Sequence, residues 1–294
     1  MSGLSIRPTI NRNIDPNRAI EQLSTHLQNS FERLEGKQKC AVLFSGGVDS
    51  SLAALMTSKM CKEPLLITAR CQGSHDQKIA VASAKALGLD IAEVTIDSDT
   101  IWEILPDVVK AINTRRLMDV EIAIPFFLAA QEAHNRGYDL LVSGQGPDEL
   151  FAGYARYERL MDQEGPERVE DALWADYSIT EEANIQRDVG AITFHGLETF
   201  FPYLHKGFAE VALTLPATLN IDSTKSPSRK LMFRKLAIAL GVPEEVASIP
   251  KKATQYSSGT TKMLAKSFRE HLDSMRKLSR NNLKSAIQKY LENL

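Results

Sequence analysis

At 294 residues, with 43% hydrophobic and 24% charged side chains and a formal net charge of −2, the chain has an ordinary globular profile and is long enough to bury a substantial core. No run approaches the roughly 18 consecutive apolar residues of a membrane helix, and the first seven residues lack the apolar centre of a signal peptide, so neither membrane insertion nor export is expected and a cytoplasmic location is. Cys40, Cys61 and Cys71 have neither C-x-x-C spacing nor a nearby histidine pair, which points to a reducing compartment and away from zinc or thiol-transfer chemistry.

Between Asp15-Pro16, a start signal, and Gly36, a stop, Ile20, Leu23, Leu27, Phe31 and Leu34 recur at helical spacing and predict a scaffold helix. A short apolar run, Cys40-Ala41-Val42-Leu43-Phe44, then reads as a strand, followed by Ser45-Gly46-Gly47-Val48-Asp49-Ser50-Ser51 and a helix-like stretch to Met60. Two glycines let the backbone approach a ligand and aim its N–H groups at one point, and a helix starting near Ser50 adds the positive end of its dipole. That combination seats phosphate or pyrophosphate. Asp49 would repel such a ligand unless a divalent cation lay between them, so Mg²⁺ is inferred. Neither G-x-x-x-x-G-K-[ST] nor G-x-G-x-x-G occurs here. The plainer alternative is a Gly-Gly turn with Asp49 and Ser50 capping an ordinary helix.

A second strand at 64–69, a helix at 77–87 ending at Gly88 and a third strand at 91–96 follow, a spacing that suggests right-handed crossovers in a parallel sheet. Ligands of such sheets lie beyond the carboxyl ends of the strands, which places Ser45 and Ala69 on one rim. Residues 100–137 read as helix broken at Pro106 and Pro125. A strand at 138–142 then leads into Ser143-Gly144-Gln145-Gly146-Pro147-Asp148-Glu149, a second glycine-rich loop forming another wall of the same site. Asp148 is placed to share a metal with Asp49 across the phosphates, although helix N-terminal charge compensation explains Asp148-Glu149 equally well from the residues alone. His75 reads as a solvated loop residue. From Ser257 onward the chain is helical and basic, with Leu264, Phe268, Leu272 and Met275 along one apolar face; it could cover the core, dock a helix or touch RNA, and a solvated basic face is the expectation.

The first loop, S-G-G-x-D-S after a strand, resembles the pyrophosphate loop of the N-type ATP pyrophosphatases, which split ATP to AMP and pyrophosphate while adenylating a substrate. The second, S-G-x-G-x-D-E-L-F-x-G-Y at 143–154, is similar to the asparagine synthetase signature S-G-E-G-x-D-E-x-F-G-G-Y, and Gly196-Leu197-Glu198-Thr199-Phe200-Phe201-Pro202-Tyr203-Leu204 stands where that family has G-x-E-x-R-x-P-F-L-D. The resemblance covers roughly residues 16–262 and points to glutaminase-lacking asparagine synthetase domain-containing proteins as the nearest relatives.

It implies an α/β fold of the adenine nucleotide alpha-hydrolase-like (PP-loop) type, a Rossmann-like three-layer sandwich on a parallel sheet with a helical C-terminal part. The expected divisions are a lead-in over 1–36, the ATP pyrophosphatase domain over 37–256 and a basic extension over 257–294. ATP and Mg²⁺ are the implied cofactors. Leu43 and Ala69 would hold adenine; Ser45, Gly46, Gly47, Asp49, Ser50, Ser143 and Gly144 the phosphates; Asp49 and Asp148 the metal; and Lys230, Arg234 and Lys252 the departing pyrophosphate.

The implied reaction is adenylation of aspartate or a related carboxylate, then attack by ammonia or an amine. With no glutaminase domain expected, the nitrogen comes from free ammonia, an amine or a separate glutaminase subunit; a homo-oligomer is allowed, and neither a membrane nor a nucleic-acid partner is expected. Two departures stand out. Gln145 replaces a glutamate assigned to handling the acyl-adenylate and ammonia, and Phe200 replaces an arginine that could pair with a carboxylate. They keep open an ATP-binding regulatory module without turnover, and an ATP-dependent nucleoside- or tRNA-modifying enzyme.

Overall fold

A computed structural model describes residues 4–71, 75–250 and 258–294. Five strands, β1 (Lys39–Leu43), β2 (Glu63–Cys71), β3 (Ile91–Ile96), β4 (Leu140–Val142) and β5 (Glu198–Phe200), form one sheet in the order β3-β2-β1-β4-β5. Every pairing is parallel; β1 lies against β2 with Val42 opposite Leu66 and against β4 with Val42 opposite Val142. The strand order runs one way from β1 to β3 and the other way from β4 to β5, so the reversal falls between β1 and β4.

The helices are α1 (Pro16–Phe31), α2 (Val48–Met60), α3 (His75–Leu87), α4 (Ser98–Ile112), α5 (Leu117–Asn135), α6 (Pro147–Leu150), α7 (Ala155–Glu164), α8 (Pro166–Thr180), α9 (Gln186–Thr193), α10 (Lys206–Leu213), α11 (Leu231–Leu240), α12 (Glu244–Ala247), α13 (Thr260–His271) and α14 (Arg280–Leu291). A π-turn at Glu181–Ile185 joins α8 to α9 without a break.

Alternation along the strands divides the core into two. Cys40, Val42, Leu66, Leu140 and Val142 face α1, α2, α10 and α11, whereas Ala41, Ile67, Ala69 and Leu141 face α4, α5, α13 and α14. Apolar side chains on both faces of one strand bury the whole of β4 and Cys40, Ala41 and Val42 of β1. This is the expected α/β three-layer sandwich.

Asp15 caps α1 by accepting the N–H groups of Asn17 and Arg18 at 3.0 Å, and Ala19, Leu23, Leu27 and Phe31 are buried along one stripe. Pro106 and Pro125 do not break their helices, contrary to the expectation. Each lies inside a helix, α4 and α5 respectively, and the chain turns instead at Asn113, whose φ is 49°. Leu105, Val108 and Val109 around one proline, and Ile124, Phe126 and Phe127 around the other, are buried; their packing outweighs the lost backbone hydrogen bond. The apolar side of the C-terminal stretch is turned inward: Leu264, Phe268, Leu283, Ile287 and Leu291 pack with α4 and α5. No helix among the described residues is long and apolar enough to cross a membrane.

Candidate active site

β1 delivers the first loop to the carboxyl rim of the sheet. Gly46 adopts φ +78° and sits so close to α3 that a Cβ there would fall 2.7 Å from Ala80 Cα, and Ser83 Oγ donates to its carbonyl at 2.9 Å. Ser45 N–H donates to Ser50 Oγ at 3.1 Å, the two hydroxyls lie 3.0 Å apart, and Ser50 Oγ also reaches the Gly47 carbonyl at 3.1 Å. From β2, buried Arg70 donates to the Ser45 carbonyl and to Thr68 Oγ1, each at 2.8 Å. The loop is thereby pre-shaped. Gly47, at the N-cap of α2, has no side chain to occupy the first-turn N–H groups, which leaves that helix end suited to an anion.

The second loop comes from β4, across the reversal in strand order. A Cβ on Gly144 would lie 3.0 Å from the Asp49 carbonyl and the Ser50 nitrogen, so the two loops meet backbone to backbone. Tyr203, fully buried, donates to the Asp49 carbonyl at 2.7 Å and fixes the first turn of α2. Burial and the Asp49 charge together hold the Tyr203 phenol well above its ordinary range, so it is a donor at neutral pH.

Lys230 joins the loops. Its Nζ lies 2.9 and 2.7 Å from the two Asp49 carboxylate oxygens and 2.6 Å from Asp148 Oδ1, and its side chain is 1% exposed. Burial lowers the lysine pKa, with the Asp49 carboxylate opposing that shift. Gly153 makes room for this junction: a Cβ there would stand 1.8 Å from Asp148 Oδ1 and 2.2 Å from Lys230 Cε. Lys230 occupies the left-handed region at φ 57°, at the N-cap of α11, and the loop before it is tied down by Arg229 donating to the Gly153 carbonyl at 2.6 Å and pairing with Glu158 at 3.1 Å.

These parts border one cavity of about 280 Å³. Its wall combines the loop residues Ser45, Gly47, Asp49 and Ser50 with Leu43 and Ala69 at the strand ends, Pro125 and Phe126 of α5, and Ser143, Gly144, Gln145, Lys230 and Arg234. The Ser143 hydroxyl is buried without a protein partner among the described residues. Of the residues expected here, Gly46 does not border the cavity, because its Cα backs onto α3, and Asp148 lies behind Lys230 rather than in the wall. Arg234 borders the cavity, but its guanidinium holds backbone: it donates to the carbonyls of Arg229 at 3.0 Å, Ile249 at 3.1 Å and Ala247. Lys252 lies outside the described residues. Phe200 is 6% exposed in the core, its ring at a T-shaped 5.5 Å from Phe31 and with the Arg33 guanidinium 5.6 Å from its centroid, so this position borders the α1 packing and not the cavity.

Sequence reasoning missed the residues behind the second loop. Asp188 on α9, completely buried, accepts the Gln145 side-chain N–H at 3.0 Å and pairs with Arg187, which reaches on to Asp119 of α5 at 3.5 Å. Burial pushes the Asp188 carboxyl up, against the pull of Arg187 and Gln145. Glu149, likewise pushed up by burial, accepts from Tyr154 Oη and, at 3.3 Å, from Asn184 in the π-turn. The adjacent carboxylates in Asp148-Glu149 are legible as a pair; that one meets Lys230 and the other Tyr154 and Asn184 is not.

The asparagine synthase family model matches residues 22–170 and 156–292. The chain is 32% identical over 292 residues to a Methanocaldococcus jannaschii protein named "Putative asparagine synthetase (glutamine-hydrolyzing) 1", covering 89% of this chain and 53% of that one. It is 26% identical over 266 residues to the glutamine-hydrolyzing asparagine synthetase of Bos taurus, covering 86% of this chain and 46% of the other. It thus spans about half the length of these relatives. Among solved structures, an NMN synthetase from Francisella tularensis aligns over 96% of this chain and 94% of its own at 11% identity and a TM-score of 0.41, too distant to bear on the site.

Proposed function

Because the chain belongs to the asparagine synthase family, we propose that it is an ATP-dependent ligase that adenylates a carboxylic acid, releases pyrophosphate, and transfers the acyl group to ammonia or an amine, leaving AMP and an amide. Aspartate is the first acid to test. One observation carries the reading: Asp49 from the first loop and Asp148 from the second meet on a single lysine nitrogen at the edge of the cavity that both loops border.

In this reading ATP lies with adenine against Leu43 and Ala69 and its phosphates over the Ser45–Gly47 turn and the first turn of α2, leaving the α-phosphorus open to the acid. Carboxylate oxygen is the donor type Mg²⁺ takes, but the point where the Asp49 and Asp148 carboxylates converge is filled by Lys230 Nζ, so only Asp49 offers the cavity a carboxylate. Asp49 would hold the ion, which would supply charge neutralisation on the phosphates, and Asp148 would join it only by parting from Lys230. Lys230, buried beside them, adds a fixed positive charge that stabilises negative charge growing on the departing pyrophosphate. Arg234 acts by holding the Arg229 and Ile249 carbonyls, and so the ends of the segments that border the site. Ser143 Oγ offers the nucleotide or acid a hydroxyl with no competing protein partner among the described residues. Lys252 completes the basic set as a proposal from resemblance, and a separate glutaminase subunit would serve as well as free ammonia.

The test is ATP–pyrophosphate exchange against a panel of carboxylic acids, with product formation followed with and without ammonia. Exchange is expected with at least one acid, and Asp49→Ala or Asp148→Ala is expected to abolish it. Exchange that survives either substitution would remove the junction from the nucleotide site.

A further inference from the structure

Gln145 forms part of the cavity wall, and behind it lies a buried charged cluster with no role in the reading above. Asp188, 0% exposed, accepts Gln145 Nε2–H on Oδ2 at 3.0 Å and accepts Arg187 on Oδ1, at 2.8 Å from Nε and 2.7 Å from Nη2. Arg187 is itself buried and reaches Asp119 Oδ1 at 3.5 Å. One carboxylate oxygen is thus engaged by a guanidinium and the other is given to a single amide. A carboxylate paired with a guanidinium accepts hydrogen bonds and donates none, so it takes the NH₂ end of Gln145 and cannot take the carbonyl end. The carbonyl oxygen, which only accepts, is left for the cavity.

Resting on the ligase reading, we propose that Asp188, held by Arg187, is a positioning residue that fixes the Gln145 carbonyl oxygen towards the cavity, so that this part of the site receives a nitrogen nucleophile bearing N–H, ammonia or a primary amine. An acceptor oxygen backed by a buried carboxylate draws in N–H donors and turns away a second anion. The arrangement also explains why an amide at 145 suits this chain: a carboxylate there would stand against Asp188, and two like charges at hydrogen-bonding distance do not both ionise. Gln145→Glu alone is therefore expected to lower the unfolding midpoint, and combining it with Asp188→Asn, which exchanges amide and carboxylate across the contact, to restore it.

The experiment has one arm that requires turnover and one that does not. In amide formation Asp188→Asn is expected to raise the KM for ammonia or methylamine about tenfold, the scale of one weakened charge-assisted hydrogen bond, with a smaller fall in kcat. An unchanged KM with kcat reduced would overturn the proposal. Should Asp188→Asn fold poorly, Gln145→Met, which leaves the Asp188–Arg187 pair in place, is expected to give the same rise. Without turnover, the Gln145 side-chain amide signal in ¹⁵N NMR, assigned by its loss in Gln145→Met, is expected to move in Asp188→Asn and to move in the wild type when methylammonium chloride is added. A signal indifferent to both changes would overturn the proposal. Wild-type protein that shows no ATP–pyrophosphate exchange with any acid would count against the ligase reading instead, and the NMR arm would still decide this one.

Discussion

Lys230 is a lysine with almost no water and two aspartates within 3 Å. A buried ammonium is costly by itself, and so is a pair of facing carboxylates; each is tolerable because of the other. The contact leaves no spare volume, since Gly153 already touches both partners. Gly153→Ala would drive a methyl group into Asp148 and Lys230, and either the lysine or the carboxylate must leave its place. The expected result is loss of ATP–pyrophosphate exchange together with a destabilisation of about 3 kcal/mol or more, the cost of separating a buried ion pair, measured by urea unfolding. Gly153 stands within the second loop motif and so could be picked out from its pattern. Its reason, the lysine about eighty residues further along, could not be.

At the level of elements, the C-terminal stretch is the instructive case. Its basic side chains, Lys262, Lys266, Arg276, Lys277, Arg280, Lys284 and Lys289, stay exposed as expected, while the apolar side of α13 and α14 closes the second face of the sheet. Phe268, fully buried, lies edge-on to Trp102 of α4 at 5.6 Å and to Tyr290 of α14 at 5.1 Å, so one ring ties three helices together. Phe268→Ala is expected to cost about 3–5 kcal/mol in chemical unfolding, the usual range for a buried aromatic truncated in a core. A loss under about 1 kcal/mol would mean that these helices contribute little to the fold. The prolines of α4 and α5 teach the converse point. Proline weakens a helix locally, but buried apolar neighbours on both sides keep it continuous, so a breaker signal within an apolar stretch marks a weakened hydrogen bond and not an end.

Over the whole molecule, three buried carboxyls, Glu121, Glu149 and Asp188, have their pKa values raised chiefly by burial. A carboxyl whose folded pKa exceeds its unfolded one binds more protons in the native state, so its contribution to stability is full below the unfolded pKa and is lost as pH rises through the folded pKa. Half-buried Asp222, held at about 2 by Thr224 and Lys225, acts in the opposite sense, its contribution being lost as pH falls towards that value. Comparing the wild type with Glu149→Gln isolates one group from this mixture. The amide oxygen still accepts from Tyr154 and Asn184, so the two proteins should be similarly stable near pH 4, and the variant should gain on the wild type as pH rises from there. A difference independent of pH, in unfolding midpoints measured between pH 4 and 8, would show that Glu149 does not ionise in that window.

The sequence by itself determined the parallel α/β architecture and the two loops of the site, because both are local: periodicity of two or 3.6 residues, glycines at strand ends, and carboxylates at helix starts are properties of adjacent residues. Only the tertiary structure decided what those loops share. Lys230 meeting Asp49 and Asp148, Tyr203 reaching the Asp49 carbonyl, and Asp188 taking the Gln145 amide join residues far apart along the chain. No short-range pattern encodes them, since each is a single polar side chain whose partner is selected by how the helices pack on the sheet and by the need of every buried charge for an opposite one.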